Sequence, residues 1–208
     1  MDALIFDVDG TLWDSRIPVG EAWNAVIEQE TGAPVDLSPA RLSSLFGKTV
    51  REITDEVLPH LTRERRDAVA LACFDYENKY LEEHPGTLYP GVAETLAILA
   101  QRWPLYVVSN CQSGYIDVFL RSTGLTPCIR GHLCHGDTGR SKGETLRMLM
   151  KREGLSSPVY VGDTQGDAHA CAQAGIPMVW ASYGFGKVKG PWRMISAFDQ
   201  LTELLHEL

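Results

Sequence analysis

Short apolar runs that stop on polar residues recur along this chain, and that pattern limits its fold more than any other feature. They are Ala3 to Phe6 before Asp7, Leu105 to Val108 before Ser109, Val159 to Val161 before Gly162-Asp163, and Met178 to Ala181 after Pro177. Rich in Val, Ile and Tyr and too short for helices, they read as strands buried on both faces. Between them lie helical patterns at Val92 to Gln101, Tyr115 to Ser122, Gly143 to Arg152 and Asp167 to Ala174, several stopped by a glycine (Gly124, Gly154, Gly175). Strand and helix in alternation predict an α/β chain with a parallel sheet covered on both faces.

The stretch from about Ser15 to Leu88 breaks the rhythm. It offers amphipathic helices at Val19 to Thr31, Pro39 to Leu45, Thr49 to Leu58 and Arg63 to Glu83, and no convincing strand. A block placed straight after the first strand must leave the sheet and return to it, and Tyr89-Pro90-Gly91 opens the next core helix. The expected organisation is therefore an α/β core from residues 1–14 and 88–208 with a helical insertion over 15–87. At 208 residues, one domain with a modest insertion has enough chain to bury a core without disulfides.

A formal charge of −8 argues against a nucleic-acid partner, because affinity for a polyanion rests on clustered Lys and Arg. No apolar run approaches the roughly 18 residues of a membrane span, and Met1 to Gly10 carries acids in place of a basic leader, so the expectation is a cytoplasmic protein without a membrane partner. Five scattered cysteines (Cys73, Cys111, Cys128, Cys134, Cys171) fit reduced thiols. Cys128, His132, Cys134 and His135 crowd together, but their spacing matches no zinc pattern, and an extended segment sends alternate side chains to opposite faces. Core or edge positions are the expectation for them.

Ligands of an open parallel sheet bind at the carboxyl ends of its strands, where this chain places Asp7, Ser109-Asn110 and Gly162-Asp163. Asp7 and Asp9 would project to the same side, and two close carboxylates repel unless a cation, a proton or a hydrogen bond intervenes. Mg²⁺ is the natural cation for oxygen ligands. The plainer alternative is a turn at Asp9-Gly10 with Asp7 as a cap. Asp163 and Asp167 repeat the acidic theme where a helix opens, with capping as their plainer role. Beside these carboxylates Lys142 becomes a counter-charge for a phosphoryl group.

These residues carry a resemblance. Asp7-Val8-Asp9-Gly10-Thr11-Leu12, Ser109-Asn110, Lys142 and Gly162-Asp163-Thr164-Gln165-Gly166-Asp167 occur in the order of the four motifs of the haloacid dehalogenase superfamily of phosphohydrolases. With a helical insertion after the first motif, the chain is similar to the phosphoglycolate phosphatase and β-phosphoglucomutase branch. The resemblance implies a doubly wound Rossmann-like core with a helical cap and a Mg²⁺-dependent phosphatase acting on a small phosphorylated metabolite, with phosphoglycolate first in view. Asp7 would be the nucleophile and Asp9 the general acid and base. Mg²⁺ would be held by Asp7, the Asp9 carbonyl and Asp163. Ser109, Asn110 and Lys142 would bind the phosphoryl oxygens, and Asp167 would orient Lys142 or a metal-bound water. The acid at Asp9 favours phosphate esters over halides, since a departing halide needs no proton.

Within the insertion, Leu45-Phe46-Gly47-Lys48-Thr49-Val50-Arg51 offers a tight turn and two cations, Lys48 and Arg51, for a second anionic group on the substrate. The plainer alternative is a helix start with solvated basic residues. Trp13 either lines the cleft or packs the hinge, and Tyr183-Gly184-Phe185-Gly186 should lie near the same crevice. Ser196 to Leu208 reads as a closing helix. A phosphomutase and a catalytically silent metabolite-binding module are the rival functions. The assembly expected is a monomer or homodimer.

Overall fold

A computed structural model describes residues 1–206. In chain order its elements are β1 (Leu4–Phe6), β2 (Trp13–Asp14), α1 (Arg16–Thr31), α2 (Pro39–Leu45), α3 (Val50–Val57), α4 (Arg63–Glu83), β3 (Thr87–Leu88), α5 (Val92–Leu99), β4 (Leu105–Ser109) and α6 (Tyr115–Thr123). There follow β5 (Gly131–Cys134), α7 (His135–Thr138), α8 (Lys142–Glu153), β6 (Val159–Gly162), α9 (Gln165–Ala174), β7 (Met178–Ala181), β8 (Arg193–Ile195) and α10 (Gln200–His206). Six strands form a sheet in the order β5-β4-β1-β6-β7-β8, and every pairing in it is parallel. This is the predicted α/β Rossmann-like fold.

The period of two along each strand sorts the core into two layers. Ile5, Tyr106, Val108 and Tyr160 face one way, packed with Leu146 and Leu149 of α8 and Ala170 and Cys171 of α9. Leu4, Phe6, Val107 and Val161 face the other, with α5, α6 and the helical insertion. Both faces are covered, as the unbroken apolar character of the strands requires.

Two edge strands close the sheet. Segment Gly131–Cys134 is an ordered edge strand, and Arg193–Ile195 is a second that the pattern did not announce. Both carry polar or exposed residues because an edge strand has a solvated side. The closing helix is shorter than predicted, beginning at Gln200, and residues 207–208 of that expectation lie outside the described residues.

Helices α1 to α4 lie between β2 and β3, and their entry and exit are tied together. Trp13 pairs with Leu88 and Asp14 with Thr87 in a two-stranded antiparallel ribbon. Trp13 itself is fully buried against Phe119 and Tyr115 and donates its indole N–H to Asp9, so it packs the junction. Among the described residues, no helix is long and apolar enough to cross a membrane.

Candidate active site

Three strand ends meet at the carboxyl end of the sheet. β1 is central, flanked by β4 and β6, so Asp7, Ser109 and Asp163 emerge side by side; the Asp7 amide is held by the Val161 carbonyl at 2.9 Å. After Asp7 the chain turns sharply, with the Thr11 and Leu12 amides both donating to the Val8 carbonyl. Gly10 takes φ +80°, and a Cβ there would stand 2.3 Å from Asp163 Oδ2, so glycine is required both by conformation and by the closeness of that carboxylate.

Lys142, the first residue of α8, is buried between two carboxylates. Its Nζ lies 3.0 Å from Asp7 Oδ2 and 2.5 Å from Asp167 Oδ1. Asp167 is saturated: Oδ1 also accepts the Tyr160 hydroxyl, while Oδ2 accepts the Thr164 amide and hydroxyl in a capping box at the start of α9. Burial alone would raise Asp167, yet Lys142 and Thr164 outweigh it and hold the carboxyl below its usual range. Burial would likewise lower Lys142, but its two carboxylates push it above the ordinary lysine value, so it stays cationic. Sequence reading left open whether Asp167 was merely a cap; it caps the helix and grips Lys142 at once.

The remaining carboxylates carry surplus negative charge. Asp7 Oδ1 is buried with no hydrogen-bond partner. Burial, opposed by Lys142 and aided by Asp167, pushes Asp7 up to about 7. Asp163 is raised well above the carboxylate range by burial and by Asp167 and Asp7, against the Phe185 amide that donates to its Oδ2 at 2.7 Å. Carboxylate oxygens of Asp7, Asp163 and Asp167 fall within 4.8 Å of one another. Among the described residues this is the single acidic, thiol and imidazole grouping compact enough for a metal ion. By contrast, Cys134 Sγ is spent on the Gln112 carbonyl, His132 faces Asp117 at 3.3 Å and His135 faces the Arg140 carbonyl, so these side chains are dispersed.

Asp9 is turned toward the insertion. Its Oδ1 accepts hydrogen bonds from Ser15 at 2.6 Å, Tyr115 at 2.7 Å and Trp13 at 3.0 Å. Burial nonetheless raises its pKa above the usual aspartate value, against those three donors.

Asp7, Asp9, Ser109 and Asn110 line one cavity, closed from above by Phe46, Gly47 and Lys48 together with Val19 and Trp23. The closure is specific: Asn110 Nδ2 donates to the Gly47 carbonyl at 2.8 Å, and Gly47, at φ +85°, lies against Thr164. Lys48 reaches this cavity but pairs with Glu56 at 2.6 Å. Arg51 is exposed and does not line it.

Two features go beyond the sequence reading. The Tyr183–Gly186 loop, expected near the crevice, bears on the site directly. Besides the Phe185 amide on Asp163, the Tyr183 hydroxyl donates to the Thr11 carbonyl at 2.8 Å, and Phe185 packs on Phe46 with Arg16 over its ring. The second is Glu77 of α4, buried on the cavity wall. Its signal was present: Val69, Cys73, Glu77 and Leu81 recur every four residues, so an acid stands on the buried stripe of a helix.

Comparison with known proteins agrees with this geometry. The sequence pattern of the haloacid dehalogenase-like hydrolases matches residues 4–181. A phosphoglycolate phosphatase of Rhodobacter capsulatus is 28% identical over 191 residues, covering 89% of this chain and 86% of the relative. Another from Agrobacterium fabrum is 28% identical, covering 98% and 91%. The crystal structure of a predicted phosphoglycolate phosphatase from Haemophilus somnus superposes with a TM-score of 0.82 at 22% identity, covering 99% of this chain and 98% of that one. Family pattern and relatives thus mark an enzyme of the phosphatase class. The chain belongs to the haloacid dehalogenase-like hydrolases and is similar to their phosphoglycolate phosphatases.

Proposed function

We propose that this chain is a Mg²⁺-dependent phosphatase that hydrolyses a small phosphorylated metabolite through an aspartyl phosphate on Asp7. The observation that carries this reading is the buried Asp7–Lys142–Asp167 chain of charges beside Asp163, opening into a cavity lined by Asp9, Ser109 and Asn110.

The donor set fits a hard divalent cation. Asp7 Oδ1 is buried without a partner, Asp163 lies beside it, and three carboxylates face one lysine. Asp7, the Asp9 carbonyl and Asp163 would hold Mg²⁺, while the oxygens of Asp167 are already engaged. When bound, the ion would offset the carboxylate charge that otherwise repels a phosphoryl group.

The chain's own residues supply the rest. Asp7, an oxygen nucleophile held against Lys142, attacks phosphorus in line and divides one displacement into two. Lys142, Ser109 and Asn110 bind phosphoryl oxygens and stabilise charge that is spread over them throughout transfer. Asp9 gives its proton to the leaving oxygen, then takes one from the attacking water. Its raised pKa suits the donor half of that role, and the Ser15, Tyr115 and Trp13 bonds hold it poised.

Residues 15–87 act in this reading as a cap domain over a core of residues 1–14 and 88–208, excluding water from the cavity. Lys48 is the cap cation positioned at that cavity. The test is phosphate release from a panel of phosphorylated metabolites, headed by phosphoglycolate, with Mg²⁺ and with chelator. Metal-dependent release supports the reading; release that survives chelation, or none from any compound, counts against it.

A further inference from the structure

The cavity above Asp7 and Asp9 has a further buried acid on its wall, Glu77. This side chain is 3% exposed and accepts a hydrogen bond from Trp23 Nε1 at 2.5 Å, with Gln112 as a further donor. Among the described residues no lysine or arginine pairs with it: Arg121 of the adjoining α6 is engaged by Glu82, and Lys48, the cap cation on the same cavity, by Glu56. Glu77 therefore stands desolvated and without a counter-charge among the described residues, an arrangement that is unfavourable unless a cation or a proton arrives. Desolvation raises its carboxyl to about 7.

The surroundings select which partner would fit. Val19, Val50 and Ile53 make the neighbouring wall apolar, and the indole of Trp23 lines the cavity beside the carboxylate. A carboxylate next to an aromatic ring in an apolar pocket is a receptor for an ammonium group. A carboxylate on the substrate would instead meet Glu77 as a like charge. Since Asp7 receives the phosphoryl group at the floor, whatever reaches Glu77 belongs to the alcohol portion.

We propose that Glu77 is a specificity-determining residue that receives a primary ammonium on the alcohol portion of the substrate, so that phosphate monoesters of short amino alcohols are preferred over those of hydroxy acids. The proposal rests on the phosphatase reading of the same site and deepens it.

Three monoesters of similar size separate charge from shape: phosphoethanolamine, ethyl phosphate and phosphoglycolate, which present a cation, a neutral group and an anion. In the wild type, kcat/KM should fall in that order. Glu77→Gln, which retains an acceptor for Trp23, should shrink the ratio of phosphoethanolamine to phosphoglycolate by at least about tenfold. A wild type that prefers phosphoglycolate, or a ratio unmoved by Glu77→Gln, overturns the assignment. Calorimetric binding of the same three compounds to Asp7→Asn reads the subsite without turnover. Tighter phosphoethanolamine than phosphoglycolate there supports the role of Glu77 and the reverse refutes it, so a failure of hydrolysis alone counts only against the phosphatase reading.

Discussion

Asp7 and Asp9 share a strand end yet sit in different environments, and their chemistry should separate accordingly. Asp7→Asn keeps the shape and removes the nucleophile, so turnover should fall by more than about a thousandfold while circular dichroism stays native. For Asp9→Asn, kcat should drop by about 10²- to 10⁴-fold for alkyl phosphates and much less for an aryl phosphate, whose leaving group needs no proton. Equal losses for both substrates would remove Asp9 from the acid role. Glu77 adds a prediction about stability. Its carboxyl is raised from 4.5 to about 7 by burial, so between those values the folded chain binds the proton more firmly than the unfolded chain. The stabilising contribution of the protonated form is full below about 4.5 and is lost as pH rises through 7, a change on the order of 3 kcal/mol. Denaturant titrations should therefore find Glu77→Gln more stable than the wild type at pH 8 relative to pH 5; an unchanged difference would contradict the buried, uncompensated carboxylate. The acids at strand ends were legible because spacing and position single them out. Glu77 was obscured by the many other acids of the Arg63–Glu83 helix, where only the four-residue spacing of its buried neighbours distinguishes it.

A loop joins strands and helices in fixing the geometry of this site. The Tyr183–Gly186 loop grips the first turn after β1 through Tyr183 and Asp163 through Phe185. At Gly184 a Cβ would come within 2.3 Å of the Gly10 carbonyl and 2.4 Å of Asp163 Cβ. Gly184→Ala must therefore push apart the two segments that carry Asp9 and Asp163, at a cost of about 1–3 kcal/mol typical of overpacking. Activity and affinity for Mg²⁺ should fall together, by at least about tenfold; normal metal affinity in this variant would show that the loop does not set the site. The core strands and most helices were readable because buried apolar runs and glycine stops are local signals. The edge strand Arg193–Ile195 was not, since its pairing with β7 is set by tertiary position and its residues remain partly solvated, while Gly131–Cys134 was legible as an extended segment but not in its pairing with β4. The place of Tyr183–Gly186 beside the crevice was legible from its position after the last apolar run, whereas its grip on Asp163 was not, because a main-chain donor leaves no mark in residue type.

Across the whole molecule, helices α1 to α4 and the sheet meet at the cavity above Asp7 and Asp9 and at the Trp13–Asp14 and Thr87–Leu88 ribbon. The Asn110–Gly47 bond and the Phe46–Phe185 contact hold the two parts together above the strand ends. An acidic site closed in this way gains stability when a cation binds the folded chain alone. Mg²⁺ should raise the melting temperature of the wild type at pH 7 and raise that of Asp163→Asn far less; equal shifts would place the ion elsewhere. The α/β order and the helical insertion were evident from the order of apolar runs, whereas the closed cavity was not, because it depends on how Phe46-Gly47-Lys48 descends onto Asn110 and Thr164. The central claim is that Asp7 carries the phosphoryl group in transit, and acid quenching during turnover of a hydrolysed substrate with Mg²⁺ tests it most directly. Mass spectrometry should find one phosphoryl group on the peptide that contains Asp7, absent in Asp7→Asn; a wild-type peptide that never gains that mass while phosphate is released would contradict the account.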